Sequence, residues 1–132
     1  MKYMLDTNIC IYIMKKNPPQ VLEKYFSLNP SERCISSITF AELEFGACKS
    51  SNPLKNKLAL KLFLAGIKIL PFDEKAATEY GDIRANLERR GTPIGANDLL
   101  IAAHARSLNL TLVTNNLKEF ERVDGLKVEN WT

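Results

Sequence analysis

Three acidic residues that are far apart in the chain each stand where an apolar segment meets the next element. Asp6 ends the run Tyr3-Met4-Leu5, Glu42 follows a second apolar block, and Asp98 follows a turn and opens a third. In an open α/β sheet, such positions gather outside the carboxyl ends of the strands. Carboxylates brought together there repel one another unless a cation lies between them. An all-oxygen site suits Mg²⁺ or Mn²⁺, and such ions commonly act on phosphate esters.

Each of these acids also has a simpler structural explanation. Asp6 has the right place to cap the helix expected near residue 8. Glu42 and Thr39 have the spacing of a capping box, and Asp98 suits a helix N-terminus because it complements the macrodipole. Capping does not require the three acids to converge, whereas metal binding does. Their common position at one edge of the expected sheet therefore favours a shared site.

The elements that must position these acids alternate between strand and helix. We expect a single α/β domain over residues 1–132, with a parallel sheet of four to five strands flanked by helices on both faces. Apolar runs and turn residues predict strands at 2–5, 33–37, 67–70, 111–114 and 126–128. Helical spacing predicts helices at 8–16, 19–28, 39–49, 53–66, 74–90 and 96–109, with Leu54, Leu58 and Leu62 on one face of the fourth.

Composition is that of an ordinary globular domain, with 45% apolar and 25% charged residues. No segment has the apolar length of a membrane span or of a secretory signal, so we expect a cytoplasmic protein with no membrane partner. Cys10, Cys34 and Cys48 are distant from one another, and His104 is the single histidine. This pattern argues against structural zinc and a disulfide framework, and predicts buried thiols and a packing role for His104.

Four sequence blocks, in this order, resemble the PIN domain and, more narrowly, VapC-type toxins of bacterial toxin–antitoxin pairs. The resemblance spans Tyr3 to Trp131. The blocks are Met4-Leu5-Asp6-Thr7-Asn8, Ser37-Ile38-Thr39-Phe40-Ala41-Glu42-Leu43, Pro93-Ile94-Gly95-Ala96-Asn97-Asp98 and Val113-Thr114-Asn115-Asn116-Leu117-Lys118-Glu119-Phe120.

The resemblance implies a PIN-like three-layer fold and a magnesium-dependent endoribonuclease. It maps Asp6, Glu42 and Asp98 onto the metal-binding acids of the family. It also implies a homodimer, and a cognate VapB-type antitoxin that covers the active site and forms a higher assembly with the toxin. Several close relatives of this subgroup cleave initiator tRNA in the anticodon stem-loop, which makes that RNA the first substrate to test.

One position departs from the family pattern, because many PIN domains carry a fourth acid where this chain has Asn116. An amide brings no negative charge. Glu119 lies one turn further on if residues 117–120 are helical, and could return a carboxylate to the pocket. The alternative is a solvated glutamate at a helix end. The number of metal ions depends on which interpretation holds.

The expected chemistry is phosphodiester hydrolysis, in which Asp6 and Asp98 bind the metal directly or through water. Glu42 is then a second ligand or an orienting group for water. The short polar side chains Thr7, Asn8 and Thr114 lie near the same edge and are candidates for holding water or phosphate, although each is also an ordinary turn residue. Three arginines are candidates for holding the RNA backbone, or for a solvated helix face: Arg84, Arg89 and Arg90.

Two other functions are compatible with parts of the sequence. A noncatalytic RNA-binding or regulatory PIN-like module would explain Asn116. A small phosphatase or receiver domain would use Asp6 as a phosphoryl acceptor. Against the latter, Asp6 is followed by Thr7-Asn8 and not by a second aspartate at the spacing such phosphatases use.

Overall fold

A computed structural model describes all residues from 1 to 132, and its centre is one parallel sheet. The five strands are β1 (Tyr3–Leu5), β2 (Arg33–Ser36), β3 (Lys68–Leu70), β4 (Thr111–Val113) and β5 (Lys127–Glu129). They are hydrogen-bonded in the order β3-β2-β1-β4-β5. The predicted α/β fold with a parallel sheet is therefore confirmed, and the number of strands is five.

Strand β1 lies at the centre of the sheet and pairs with β2 on one side and with β4 on the other. Tyr3 stands opposite Arg33 in β2 and opposite Thr111 in β4. The chain builds the sheet outward from β1 in one direction through β2 and β3, and then in the other through β4 and β5. This reversal opens a crevice beyond the carboxyl ends of β1 and β4, which is where open α/β sheets bind their ligands.

Helices cover both faces of the sheet, as the sequence predicts. They are α1 (Thr7–Lys15), α2 (Pro19–Ser27), α3 (Ser37–Lys49), α4 (Pro53–Leu64), α5 (Glu74–Arg89), α6 (Ala96–Ser107) and α7 (Leu117–Phe120). One buried apolar cluster joins the sheet to α1, α2 and α4, and a second joins it to α5, α6 and α7. Helix α6 is buried around most of its circumference, which explains its nearly uninterrupted apolar sequence.

Helix α3 begins two residues earlier than the sequence pattern predicts. Its N-cap is Ser36, whose side chain accepts a hydrogen bond from the Ile38 amide at 3.0 Å. Thr39 is fully buried inside the helix, so the predicted capping box between Thr39 and Glu42 is wrong. The side chain of Glu42 is consequently free of any capping role.

Some predicted surface assignments also change. Cys10 and Cys34 are buried as expected, but Cys48 is exposed, so the prediction of three buried thiols is wrong for this residue. The stripe on α4 faces outward, with Leu54, Leu58 and Leu62 exposed by 85%, 61% and 70%, while the opposite face of α4 packs on the core.

No helix has the length and apolar character needed to cross a membrane.

Candidate catalytic and metal site

Asp6 lies at the end of β1, in the crevice that the sheet topology creates. Its backbone amide bonds to the Val113 carbonyl of β4 at 3.0 Å, which continues the pairing of the two strands by one residue. Its side chain caps α1 by accepting a hydrogen bond from the Ile9 amide at 3.0 Å. The side chain is only 5% exposed, and burial raises its pKa against the effect of hydrogen bonds from Thr114 and Ile9. Capping and a place in the site are thus combined in one residue.

Glu42 lies in the second turn of α3 and is held by two side chains from other elements. Thr7, the first residue of α1, donates a hydrogen bond of 2.6 Å to Oε1 of Glu42. Asn97, in the first turn of α6, donates one of 3.1 Å to Oε2. These two bonds fix both oxygens of the carboxylate in the space between α1 and α6.

Asp98 and Glu119 form the other half of the site. Glu119 in α7 accepts hydrogen bonds from the Gly95 amide at 2.9 Å and from Nδ2 of Asn116 at 2.7 Å. A hydrogen bond between Asp98 and Glu119 raises the pKa of Asp98 and helps to lower that of Glu119. This hydrogen bond thus moves the pKa values of the two carboxyl groups in opposite directions. Glu119 occupies the pocket, while Asn116 orients its carboxylate.

The four carboxylates are close enough to affect one another electrostatically. Burial, followed by the hydrogen bond and negative charge of Glu119 and the charges of Asp6 and Glu42, raises the pKa of Asp98 to about 7. Burial also raises the pKa of Glu119, but its hydrogen bonds from Gly95, Asp98 and Asn116 outweigh this effect and lower it overall. Negative charge from four separate elements is thus concentrated near Asp98.

Not all of the residues expected to support the site contribute side chains to it. Thr114 is fully buried, bonds to Asp6 and accepts a 2.9 Å bond from the Asn116 amide. Asn8 contributes its backbone amide to Asp6, while its own residue is exposed. His104 is buried against α3, with Nδ1 2.8 Å from the Ser36 hydroxyl, which agrees with a packing role.

The candidate RNA-binding arginines lie on α5 and at its end. Arg84 bonds to Tyr80 and Glu88 of its own helix. Arg89 and Arg90 are exposed at the C-terminus of the helix. Arg90 bonds to the Arg122 carbonyl and lies 3.8 Å from Asp124. None of these partners is one of the four acids of the crevice.

Two residues of the site were missed by sequence reasoning. Asn97 holds Glu42, and the Gly95 amide holds Glu119. Asn97 immediately precedes Asp98 at the start of a helix, so its proximity to the site could have been inferred from that position. Its partner, 55 residues away, could not have been inferred without the packing of α3 against α6.

A divalent cation fits the chemistry of this donor set. The acids are all oxygen donors, and their mutual repulsion is what a cation would relieve. A methyl group in place of the Gly95 hydrogen would lie 3.5 Å from Asp98 Oδ2 and 3.6 Å from Glu119 Oε1, so glycine leaves open space beside both carboxylates. No three His, Cys, Asp or Glu side chains are placed to coordinate one ion together. A divalent ion held here would therefore complete its coordination with water molecules.

Comparison with known proteins identifies the class to which this fold and site belong. Residues 3–126 match the family model described as the PIN domain. The chain is 50% identical over 132 residues to the tRNA(fMet)-specific endonuclease VapC of Shigella flexneri, with 100% of this chain and 99% of the relative covered. It is 46% identical to Ribonuclease VapC2 of Rickettsia felis, with 99% of this chain and 98% of the relative covered.

Solved structures agree with these relatives. The DNA-bound VapBC structure from Salmonella typhimurium matches with a TM-score of 0.95 and 48% identity, covering 100% of this chain and 99% of the other. The VapBC2 structure from Rickettsia felis, bound to a promoter DNA fragment, matches with a TM-score of 0.93 and 45% identity, with both chains covered completely.

The chain therefore belongs to the PIN-domain family of nucleases, whose members depend in general on divalent metal. Within that family it is one of the VapC ribonucleases, the toxin component of VapBC toxin–antitoxin pairs.

Proposed function

We propose that Asp6, Glu42, Asp98 and Glu119 form the metal-dependent catalytic site of this endoribonuclease, and that Mg²⁺ is the ion used, with Mn²⁺ able to replace it. The observation that carries the proposal is geometric: Glu42 is bonded to Thr7 and Asn97, and Glu119 is bonded to the Gly95 amide and Asn116, beside Asp98. A bound divalent ion would neutralise the phosphate oxygens and make a water molecule more acidic.

The side chains divide into groups that bind and groups that orient. Asp98 must lose its proton for all four carboxylates to be charged, and a cation favours that loss. Asp6 is fixed by its capping bond and by Thr114, so its carboxylate is preorganised as a ligand. Glu42 is restrained at both oxygens by Thr7 and Asn97, and is suited to orient an attacking water or accept its proton.

Many PIN domains carry an acid at the position of Asn116. In this chain, Glu119 supplies the fourth negative charge instead. Its bonds to Gly95 and Asn116 direct the carboxylate toward Asp98. This geometry supports the catalytic interpretation over a noncatalytic RNA-binding module, because the charge absent at Asn116 is available from Glu119. It leaves Asn116 with the role of an orienting amide.

The substrate we propose is RNA, with initiator tRNA cut in the anticodon stem-loop as the leading candidate. The Shigella flexneri relative is named for tRNA(fMet) and shares half of its residues with this chain, which supports the assignment. We also propose a homodimer that assembles with a VapB-type antitoxin in the cytoplasm. The antitoxin is supported by the similarity of this chain to the toxin chains of the VapBC complexes.

The test is cleavage of purified initiator tRNA with Mg²⁺, with Mn²⁺ and with EDTA. We expect cleavage with either metal, none with EDTA, and a loss of at least about 100-fold for Asp98→Asn, a loss comparable to that of other electrostatic catalytic groups. Glu23→Gln removes an exposed acid on α2 and is the matched control. Cleavage by Asp98→Asn at the wild-type rate would contradict the proposed site. Toxicity on expression, relieved by the same substitution, would support the toxin assignment in cells.

A further inference from the structure

Helix α3 continues beyond Glu42 along a groove that begins at the acidic crevice. Phe45 and Lys49 follow Glu42 by three and seven residues, so all three lie on one face of the helix. The groove has a volume of about 620 Å³, and Thr7, Glu42 and Asn97 form its acidic end. Its remaining lining comes from α1, α3 and α6: Ile11, Ile38, Ala41, Phe45, Gly46, Lys49 and Leu100.

Phe45 is the conspicuous residue of this groove, because it is 64% exposed and packs against no other aromatic ring. The ammonium group of Lys49 lies 5.0 Å from the centre of the Phe45 ring. A Cβ built on the neighbouring Gly46 would meet nothing within 4 Å, so the wall beside the ring is open. A flat apolar ring and a cation are thus presented together, next to the carboxylates.

We propose that Phe45 and Lys49 form a nucleotide subsite, in which Phe45 stacks on one unpaired base of the RNA substrate and Lys49 contacts a phosphate beside it. The inference rests on the proposed function and assigns one part of the substrate to one part of the surface. Single-stranded RNA is bound in this way elsewhere, by aromatic rings that stack on splayed bases and by basic groups that follow the backbone.

Position along the helix supports the assignment. At 1.5 Å of rise per residue, Phe45 lies about 4.5 Å and Lys49 about 10.5 Å beyond Glu42 along the axis of α3. These distances are within reach of a nucleotide or two from a phosphodiester held at the acids. Charge supports it as well, because the groove changes from the carboxylate of Glu42 at one end to Lys49 at the other. A phosphate that approaches the lysine avoids the repulsion that it would meet at Glu42.

The experiment measures RNA binding in an Asp98→Asn background, so that cleavage does not interfere. The probe is a single-stranded RNA of about 12 nucleotides that carries 2-aminopurine at successive positions, whose fluorescence is quenched when the base stacks. We expect Phe45→Ala to weaken binding by at least about 5-fold, the lower end of what base–aromatic stacking contributes. Phe45→Tyr keeps a flat ring and should keep the position-specific quenching, whereas Phe45→Leu keeps apolar volume and should lose it.

Lys49→Ala tests the phosphate contact separately. It should reduce the slope of log affinity against log salt concentration by about 0.7, the value for one phosphate contact to a single strand. The matched controls are Phe26→Ala and Lys24→Ala, which alter an equally exposed ring and a lysine on α2. Both should leave binding and the salt slope unchanged.

Wild-type binding and quenching in Phe45→Ala would overturn the subsite. The subsite would also be overturned if the only defect of Phe45→Ala were weaker self-association or weaker antitoxin binding. Phe45 would then belong to a protein interface. Sedimentation of each variant provides that comparison. Failure of the proposed function would look different. In that case the wild-type protein would not cleave RNA in the presence of metal, whatever the result of the stacking measurement at Phe45.

Discussion

Nδ2 of Asn116 lies 2.7 Å from Oε2 of Glu119, so an amide orients the carboxylate that faces Asp98. A single acid at the position of Asn116 would supply both a negative charge and its fixed position. Here two side chains share these two roles. Glu119 provides the charge, and Asn116 restricts where that charge lies. Because Asn116 is at the N-cap position of α7 and Glu119 follows three residues later, one turn of helix suffices to build this arrangement.

This division predicts unequal effects for substitutions at the two positions. Glu119→Gln removes a negative charge, and should lower the single-turnover cleavage rate and raise the Mg²⁺ concentration needed for half of the maximal rate. Asn116→Ala removes only the orienting bond, and should cost roughly 10-fold, at the low end of what partners of metal ligands contribute. Both are measured by cleavage of labelled RNA over a series of Mg²⁺ concentrations.

Asn115→Ala is the control for these variants. Asn115 is exposed, adjacent in sequence, and bonds to the Tyr12 hydroxyl at 2.9 Å instead of to an acid. It should cleave at nearly the wild-type rate. A larger defect for Asn116→Ala than for Glu119→Gln would mean that the amide, and not the carboxylate, is the essential group.

The pKa of Asp98 predicts a pH dependence of stability in the metal-free protein. A carboxyl with a pKa of about 7 in the folded state, against 3.8 ordinarily, binds a proton in the folded state over a range where the unfolded chain has lost it. The contribution of Asp98 to the free energy of unfolding is therefore full below about pH 4 and is lost as the pH rises through 7. Urea unfolding in EDTA at a series of pH values measures this decline.

The comparison with Asp98→Asn isolates the effect. Burial lowers the pKa of His104, which makes stability rise with pH below its ordinary value of 6.5. Because both proteins contain His104, its contribution cancels in their difference. The wild-type protein should lose stability relative to Asp98→Asn between pH 5 and pH 8. A constant difference over that range would show that the pKa of Asp98 is not raised in the folded protein.

Much of this molecule follows from local sequence patterns, because strands and helices are specified by residues that are near one another in the chain. The strand ending at Asp6 and the long helix over residues 74–90 are examples. The start of α3 was predicted wrongly since Ser36 and Thr39 are both good capping residues, and only the end of β2 decides between them. Local patterns favoured Thr39, whereas strand pairing selects Ser36.

The contacts that define the site are of another kind. The bond between Asn97 and Glu42 joins residues 55 apart, and that between Gly95 and Glu119 joins residues 24 apart. They depend on how α3, α6 and α7 pack around the sheet, which no short pattern specifies. Sequence reasoning could gather the acids at one edge of the sheet, but it could not say which amide or hydroxyl would hold each of them.

Ser36 joins the start of α3 to the buried ring of His104, and these two contacts contribute to the stability of the fold. Its hydroxyl accepts the Ile38 amide at the start of α3 and lies 2.8 Å from Nδ1 of buried His104. Ser36→Ala removes the cap and leaves a buried ring nitrogen without its partner. We expect a loss of about 2 to 3 kcal/mol in the free energy of unfolding, from a lost N-cap and an unsatisfied buried polar group.

Urea unfolding at neutral pH measures this loss, and Ser51→Ala, which alters an exposed serine in the turn after α3, is the control. The control should change stability by less than about 0.5 kcal/mol, as ordinary surface substitutions do. Glu42 should keep its bonds to Thr7 and Asn97 in the molecules that remain folded. The cleavage rate per folded molecule should therefore stay close to that of the wild-type protein. A Ser36→Ala protein as stable as the control would mean that neither the cap nor the contact with His104 contributes to holding α3 on the sheet.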